Sequence, residues 1–245
     1  MLVFDDADVE EAVNGVAFAA FVASGQTCVS AKRVLVHAPV FQAFKARLIA
    51  KVDGLRLGPP LDLATQIGPL ASAAALRTVA AQVERGYAEG ATALAGGRRP
   101  SAERCALAAG HYYEPTVLGD VTPAMSVFQE EIFGPVVTLT PFADEADGLR
   151  LANDNEYALG AGVWTRDLKR AHRVMDGLRA GIIWANAHHR NSPDAPWGGF
   201  GASGIGRENG KDAYLEYTAS ATMIVRTSDT KEDWFAAAAA GARYG

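Results

Sequence analysis

Cysteine occurs only twice in this chain of 245 residues, at Cys28 and Cys105, and the first stands in a setting suited to chemistry. The run Phe21-Val22-Ala23-Ser24-Gly25-Gln26-Thr27-Cys28-Val29-Ser30 passes from apolar residues through a glycine to a single thiol. Gly25 sits where a helix end wants a residue at positive φ, which places Gln26, Thr27 and Cys28 on a polar turn between two apolar segments. Short turns pinned by rigid elements are where reactive side chains are displayed. A thiol held there reads as a nucleophile, because sulfur attacks well even at a few per cent ionisation. Residue type alone favours a plainer reading, a small apolar side chain in the core, since free cysteine is among the most buried residues.

The elements that must hold this turn can be read on both sides of it. Asp8 and Glu11 fit a capping box, and Val9, Val13, Val16, Ala17, Ala20 and Phe21 recur at helical spacing, so one helix leads into the turn. Residues 32–37 read as a strand, and Pro39 opens a helix whose stripe Val40, Phe44, Leu48 and Val52 ends at Gly54. Residues 56–70 are Pro- and Gly-rich loop. A helix is predicted over 72–89, with Leu76, Val79, Ala80, Val83 and Tyr87 inward. Residues 91–95 and 113–118 are strand-like, and residues 136–140 read as a strand buried on both faces. Asp144 and Asp167 cap two further helices, ending near Ala152 and Leu178, and residues 160–165 and 181–185 read as strands. A long Gly-rich loop over 187–206 signals function, followed by a short helix over 208–217 and a last strand over 221–226. Such alternation predicts an α/β fold with a mostly parallel sheet flanked by helices.

Composition narrows the class. With 49% hydrophobic residues the chain can bury one substantial core. A net charge of -5 without a long basic run gives no reason to expect nucleic acid. No apolar run approaches the roughly 20 residues of a membrane helix, and the first residues are followed by acids rather than by a signal-peptide core. Two cysteines far apart argue against a disulfide framework and for a reducing, cytoplasmic setting.

The motif Gly25-Gln26-Thr27-Cys28 resembles the catalytic-cysteine motif of the aldehyde dehydrogenase superfamily. Three later stretches agree with that family in the same order: Phe128-Gln129-Glu130-Glu131-Ile132-Phe133-Gly134-Pro135, residues 153–165 (NDNEYALGAGVWT) and residues 181–210 (GIIWANAHHRNSPDAPWGGFGASGIGRENG). The resemblance extends over residues 2–225. It implies that Cys28 attacks an aldehyde to give a thiohemiacetal, that hydride leaves to NAD or NADP, and that water hydrolyses the resulting thioester. It makes the Cys28 backbone N–H half of an oxyanion site. Glu131 and Phe133 resemble the residues that hold the nicotinamide ribose; read without the family, Glu130 and Glu131 are solvated charges and Phe133 is core. Thr27, Asn186, His188, His189 and Trp197 resemble the wall of the substrate tunnel. Adjacent His188 and His189 make a poor metal pair, because neighbouring side chains diverge and no spaced ligand set accompanies them. His37, His111 and His172 read as structural.

The domain organisation implied is a catalytic domain over 5–218, an oligomerisation strand over 219–227 and a flexible tail over 228–245, with a homo-oligomer as the expected assembly. Gly199-Phe200-Gly201-Ala202-Ser203-Gly204 matches the dinucleotide-binding glycine pattern, yet it does not follow a strand directly and lacks an acidic residue near position 224, so it reads as a turn. The family's enzymes are about twice this length. Their first half carries the Rossmann-type cofactor domain, a side-chain oxyanion donor and a base in a Glu-Leu-Gly-Gly-Lys motif that this sequence does not contain. The expectation is therefore a truncated enzyme with little turnover by itself, since loss of a general base alone costs about 10²–10⁴-fold. Two other readings stay open: a non-catalytic oligomerisation module, and a surviving slow esterase or redox-sensitive thiol.

Overall fold

Asp8 starts the first helix by accepting the backbone N–H groups of Glu10 and Glu11, and the fold unfolds in sequence from there. The computed structural model describes residues 1–231. Their elements in order are β1 (Leu2–Val3), α1 (Val9–Phe21), β2 (Arg33–His37), α2 (Ala38–Asp53), α3 (Ala73–Glu89), β3 (Thr92–Ala95), β4 (Thr116–Gly119), α4 (Ser126–Gln129) and β5 (Val136–Phe142). Then follow α5 (Glu145–Asn153), β6 (Tyr157–Ala158), β7 (Gly160–Trp164), α6 (Leu168–Gly177), β8 (Ile182–Ala185), β9 (Phe200–Gly201) and α7 (Gly210–Glu216). The predicted caps at Asp144 and Asp167 accept N–H groups from the turns they precede, and Ser72 caps its helix in the same way by accepting from Ala75.

The main sheet has the order β3-β4-β5-β2-β1-β7-β8, with every pair parallel except β3 against β4. Its strands are buried on both faces because their side chains alternate between two cores. Val3, Val34, Val36, Val137 and Leu139 join α1 and α2 on one side. Leu2, Leu35, Val136, Leu118 and Val163 join α3, α5 and α6 on the other. A three-layer α/β arrangement results, as the alternation of predicted strands and helices implies.

Strand β1 has no counterpart in the sequence reading. Two residues carry no period, yet Leu2 and Val3 lie between β2 and β7, beside Leu35 and Val163 and beside Val36 and Trp164. Asp6 fixes this strand to its neighbour. Its carboxylate accepts the Thr165 hydroxyl at 2.8 Å, the backbone N–H groups of Arg166 and Asp167 at 3.0 and 2.9 Å, and the Arg170 guanidinium at 2.8 Å. Burial raises its pKa, but these donors outweigh burial and hold the carboxyl below its ordinary 3.8. Asp6→Ala should cost about 3 kcal/mol, since it strands several donors at once. The stabilisation is present above the ordinary carboxylate pKa and fades as pH falls through the lower folded value. Urea denaturation should accordingly show a large gap between parent and variant at pH 7 and a smaller one at pH 2.5.

The last predicted strand differs. Residues 218–231 have no regular structure, and Met223, Ile224 and Val225 are exposed. A strand exists through its ladder, and among the described residues none forms a ladder with this segment. Residues 232–245, most of the expected tail, lie outside the described residues. The Gly-x-Gly-x-x-Gly stretch forms a turn after β9, which pairs antiparallel with β6.

Candidate active site

The thiol turn is more sharply made than its sequence suggests. Helix α1 ends at Phe21, and Ala23, Ser24 and Gly25 follow at φ of 51°, 58° and 69°. Left-handed backbone costs a non-glycine residue on the order of 1 kcal/mol, so neighbours must over-determine it. They do. The Ser24 hydroxyl donates to the Gly68 carbonyl at 2.9 Å. The Gln26 side chain accepts the Ala71 N–H at 2.8 Å and donates to the Ala23 carbonyl at 3.2 Å. Beyond the thiol, the Ser30 hydroxyl donates to the carbonyls of Ala19 and Ala20. Val29 and Ser30 are buried while Cys28 between these anchors is exposed. Cys28 is thus a displayed thiol and not a core side chain; Cys105, which is buried, takes the core role. The Cys28 backbone N–H makes no hydrogen bond within the described residues.

A cleft of about 320 Å³ opens beside the thiol, lined among others by Cys28, Lys32, Phe128, Glu131, Tyr157 and His188. Glu131 and Cys28, far apart in sequence, therefore share one cavity. The Glu131 backbone carbonyl accepts from Gln82 at 2.9 Å, whereas its carboxylate forms no hydrogen bond or ion pair among the described residues. Its neighbour Glu130 is paired with Arg85. Phe133 is not core: it is 46% exposed and lies outside the cleft lining. Lys32 is half-buried in the cleft lining and donates to the carbonyls of Gly25 at 2.8 Å and Gly134 at 2.7 Å. Burial pushes its pKa down to about 7, against the upward pull of the Glu131 carboxylate.

The loop after β8 supplies the other wall. His188 is buried, and its Nε2 donates to the Val29 carbonyl at 2.8 Å, which leaves Nδ1 as a buried acceptor without a partner. Its ring lies 4.6 Å from Trp184 and stacks on His189 at 5.1 Å. Burial lowers the His188 pKa to about 4, so the ring is neutral. His189 sits within 3.5 Å of the Thr27 hydroxyl and meets Phe18 edge-on at 6.0 Å. Trp197 lies 6.2 Å from Trp184, and its backbone pairs with Glu208. Asn186, at φ 50°, spends its amide on the Thr165 main chain, accepting at 3.0 Å and donating at 2.9 Å. It shapes the loop and offers no free group to the cleft. Among the described residues no cluster of His, Cys, Asp or Glu could hold a metal ion, and no helix is long and apolar enough to cross a membrane.

Three residues here escape sequence reasoning. Phe18 lies off the inward stripe of α1 and is half-exposed; a large aromatic on the wrong side of a helix leading to a thiol is the signal that was available. Trp184 reads as an ordinary strand residue. Lys32 looks like a solvated charge at a strand start, and only the tertiary structure shows it half-buried.

The parallel sheet and the displayed thiol define an α/β protein with a cysteine centre. The sequence profile of the aldehyde dehydrogenase family matches residues 1–223. Betaine aldehyde dehydrogenases of Brucella melitensis and Brucella ovis are 43% identical over 225 residues, 92% of this chain and 46% of theirs. Among solved structures, betaine aldehyde dehydrogenase from Staphylococcus aureus in complex with NAD+ superposes with a TM-score of 0.93 at 37% identity, covering 96% of this chain and 46% of that one. PnpE from Pseudomonas sp. WBC-3 gives 0.90 at 40% identity, covering 96% and 47%. The chain belongs to the aldehyde dehydrogenase family. It spans about half the length of the curated relatives it matches.

Proposed function

We propose that this chain carries the nucleophilic centre of an NAD- or NADP-dependent aldehyde dehydrogenase. The observation that carries this reading is an exposed Cys28 on an anchored turn, sharing a cleft with the unpaired Glu131 carboxylate. Cys28 adds to the aldehyde carbon, and its free backbone N–H is available to the developing oxyanion. The dinucleotide, when bound, accepts the hydride whose loss turns the thiohemiacetal into a thioester. Glu131 has the chemistry to accept hydrogen bonds from both ribose hydroxyls, and the exposed Phe133 ring to pack beside them. Thr27, Phe18, His189 and Trp197 form the aromatic and polar approach to the thiol.

The similar betaine aldehyde dehydrogenases support the choice of substrate class, since betaine aldehyde carries a quaternary ammonium. A quaternary ammonium aldehyde is therefore the proposed substrate. The exposed Met223, Ile224 and Val225 support self-association, in which a second copy supplies the ladder that residues 219–227 lack. Cytoplasmic residence accords with two free cysteines.

The thiol step can be tested apart from hydride transfer. The purified 245-residue chain, given p-nitrophenyl acetate, should release a burst of p-nitrophenolate near one equivalent as Cys28 is acylated. Cys28→Ala should abolish the burst and Cys105→Ala should keep it. A burst that survives Cys28→Ala would refute the assignment. With an aldehyde and NAD+, the same chain should form little NADH, because this sequence lacks the family's base motif.

A further inference from the structure

Two turns that meet at the cleft come from distant parts of the chain: the thiol turn around Gly25 and the loop around Gly134 that follows Glu131 and Phe133. Their main chains touch, for a Cβ on Gly25 would stand 2.1 Å from the Gly134 carbonyl oxygen. Between them sits the Lys32 ammonium, 2.8 Å from the Gly25 carbonyl oxygen and 2.7 Å from that of Gly134. Lys32 is itself fixed to the sheet, its own carbonyl accepting the Thr138 N–H at 2.8 Å and the Thr138 hydroxyl at 3.2 Å. We propose that Lys32 is a positioning residue that ties the thiol turn to the clamp loop, so that the nucleophile and the Glu131 carboxylate hold one fixed relative geometry. The use made of that geometry rests on the dehydrogenase reading; the tie itself does not.

The chemistry favours a lysine in this place. Two carbonyls converging on one point need a single compact donor with several N–H groups, which an ammonium supplies and no apolar side chain can. Burying a cation is costly unless it is hydrogen-bonded and faced by opposite charge. Both conditions hold, because the carbonyls take two of its three donors and the Glu131 carboxylate pulls its pKa upward against burial. A role as nucleophilic amine fits less well, since two of its three N–H groups are committed to main chain. The tie also explains how a turn with three left-handed residues stays in place: its far side is held by Ser24 and Gln26 and its near side by Lys32.

Hydrogen exchange read by mass spectrometry on the whole 245-residue chain tests this. In Lys32→Met, exchange in segments 25–30 and 131–135 should accelerate together, by on the order of tenfold, while α3 keeps its protection. Lys32→Arg, which restores a cation with several donors, should keep both segments slow. Carbamidomethylation of Cys28 with iodoacetamide should alter exchange at 131–135 about threefold in the parent and in Lys32→Arg, but leave it unchanged in Lys32→Met. A merely structural lysine would not move that last readout. Loosening of one segment alone, of neither, or of both equally in Lys32→Arg would overturn the proposal. Should Lys32→Met fail to fold, Lys32→Gln serves in the same comparison, and persistence of the Cys28-to-131–135 response in it and in every other variant would equally overturn it. None of these readouts needs dehydrogenase activity, so they stand or fall apart from the acylation burst.

Discussion

Gly25→Ala should lower the melting temperature by roughly 10 °C and erase the acylation burst at Cys28. Two penalties add at this position. At φ +69° an alanine is strained by about 1 kcal/mol. Its Cβ would also stand 2.1 Å from the Gly134 carbonyl oxygen and 2.9 Å from that of Ala20, atoms of main chain that cannot swing aside as a side-chain tip does. Overpacking against fixed atoms costs roughly 1–3 kcal/mol or more, so the sum is about 4 kcal/mol. Relief requires the thiol turn to move away from the clamp loop, which displaces Cys28. Gly204→Ala is the matched control, since its φ is +100° but no atom lies within 4 Å of the added carbon. It should lose only the conformational part, about 1 kcal/mol. Thermal melts and the burst amplitude of the two variants decide the matter, and equal losses would show that crowding at Gly134 is not the cause.

Acidification should destabilise the protein well before its carboxylates titrate, and His188 should contribute to it alongside the Met1 amine, which burial lowers to about 5. In the unfolded chain this imidazole titrates at its ordinary 6.5, whereas burial between Trp184 and His189 lowers the folded value to about 4. The unfolded state therefore binds more protons between those pH values. Stability from the neutral ring is complete above pH 6.5, declines as pH falls, and is gone below about 4. The span corresponds to about 3 kcal/mol. His189, also lowered by burial, adds in the same direction. His188→Gln keeps a donor for the Val29 carbonyl and does not titrate. Urea midpoints at pH 7.5, 6, 5 and 4 should fall steeply for the parent and less steeply for the variant. Parallel slopes would show that other groups carry the acid sensitivity. The window lies above that of Asp6, whose loss begins only below ordinary carboxylate values.

Much of the fold was legible because its signals are local. Period-2 and period-3.6 patterns and the caps at Asp8, Asp144 and Asp167 are written within a few residues of the elements they govern. The display of Cys28 on a turn was legible from the residues before it, whereas its sharing of a cleft with Glu131 is a tertiary fact. What was not legible depends on residues meeting from afar. Leu2 and Val3 become a strand only because β2 and β7 leave a slot of their length. The partial burial of Lys32 comes from Gly25 and Gly134 closing over it, and the burial of His188 from the Val29 carbonyl and Trp184. Residues 221–226 differ in the opposite sense, having strand-forming side chains but no ladder among the described residues. Asn186 shows a third case, in which a residue expected at the tunnel wall lies outside the cleft lining and bonds the Thr165 main chain.

The two-residue strand β1 bears on how the molecule folds and opens. Ladder hydrogen bonding between β3-β4-β5-β2 on one side and β7-β8 on the other passes through Leu2 and Val3 alone. Leu2 lies beside Val163, 161 residues onward, so this seam can close only after nearly the whole sheet-forming chain has been made. Closing so long a loop carries an entropic cost that local pairs such as β7 with β8 avoid. The β3-β4-β5-β2 block and the β7-α6-β8 unit can thus behave as separate cooperative units whose joining is the late, slow event. The same seam borders the cleft that holds Cys28, since Met1 and Leu2 line it.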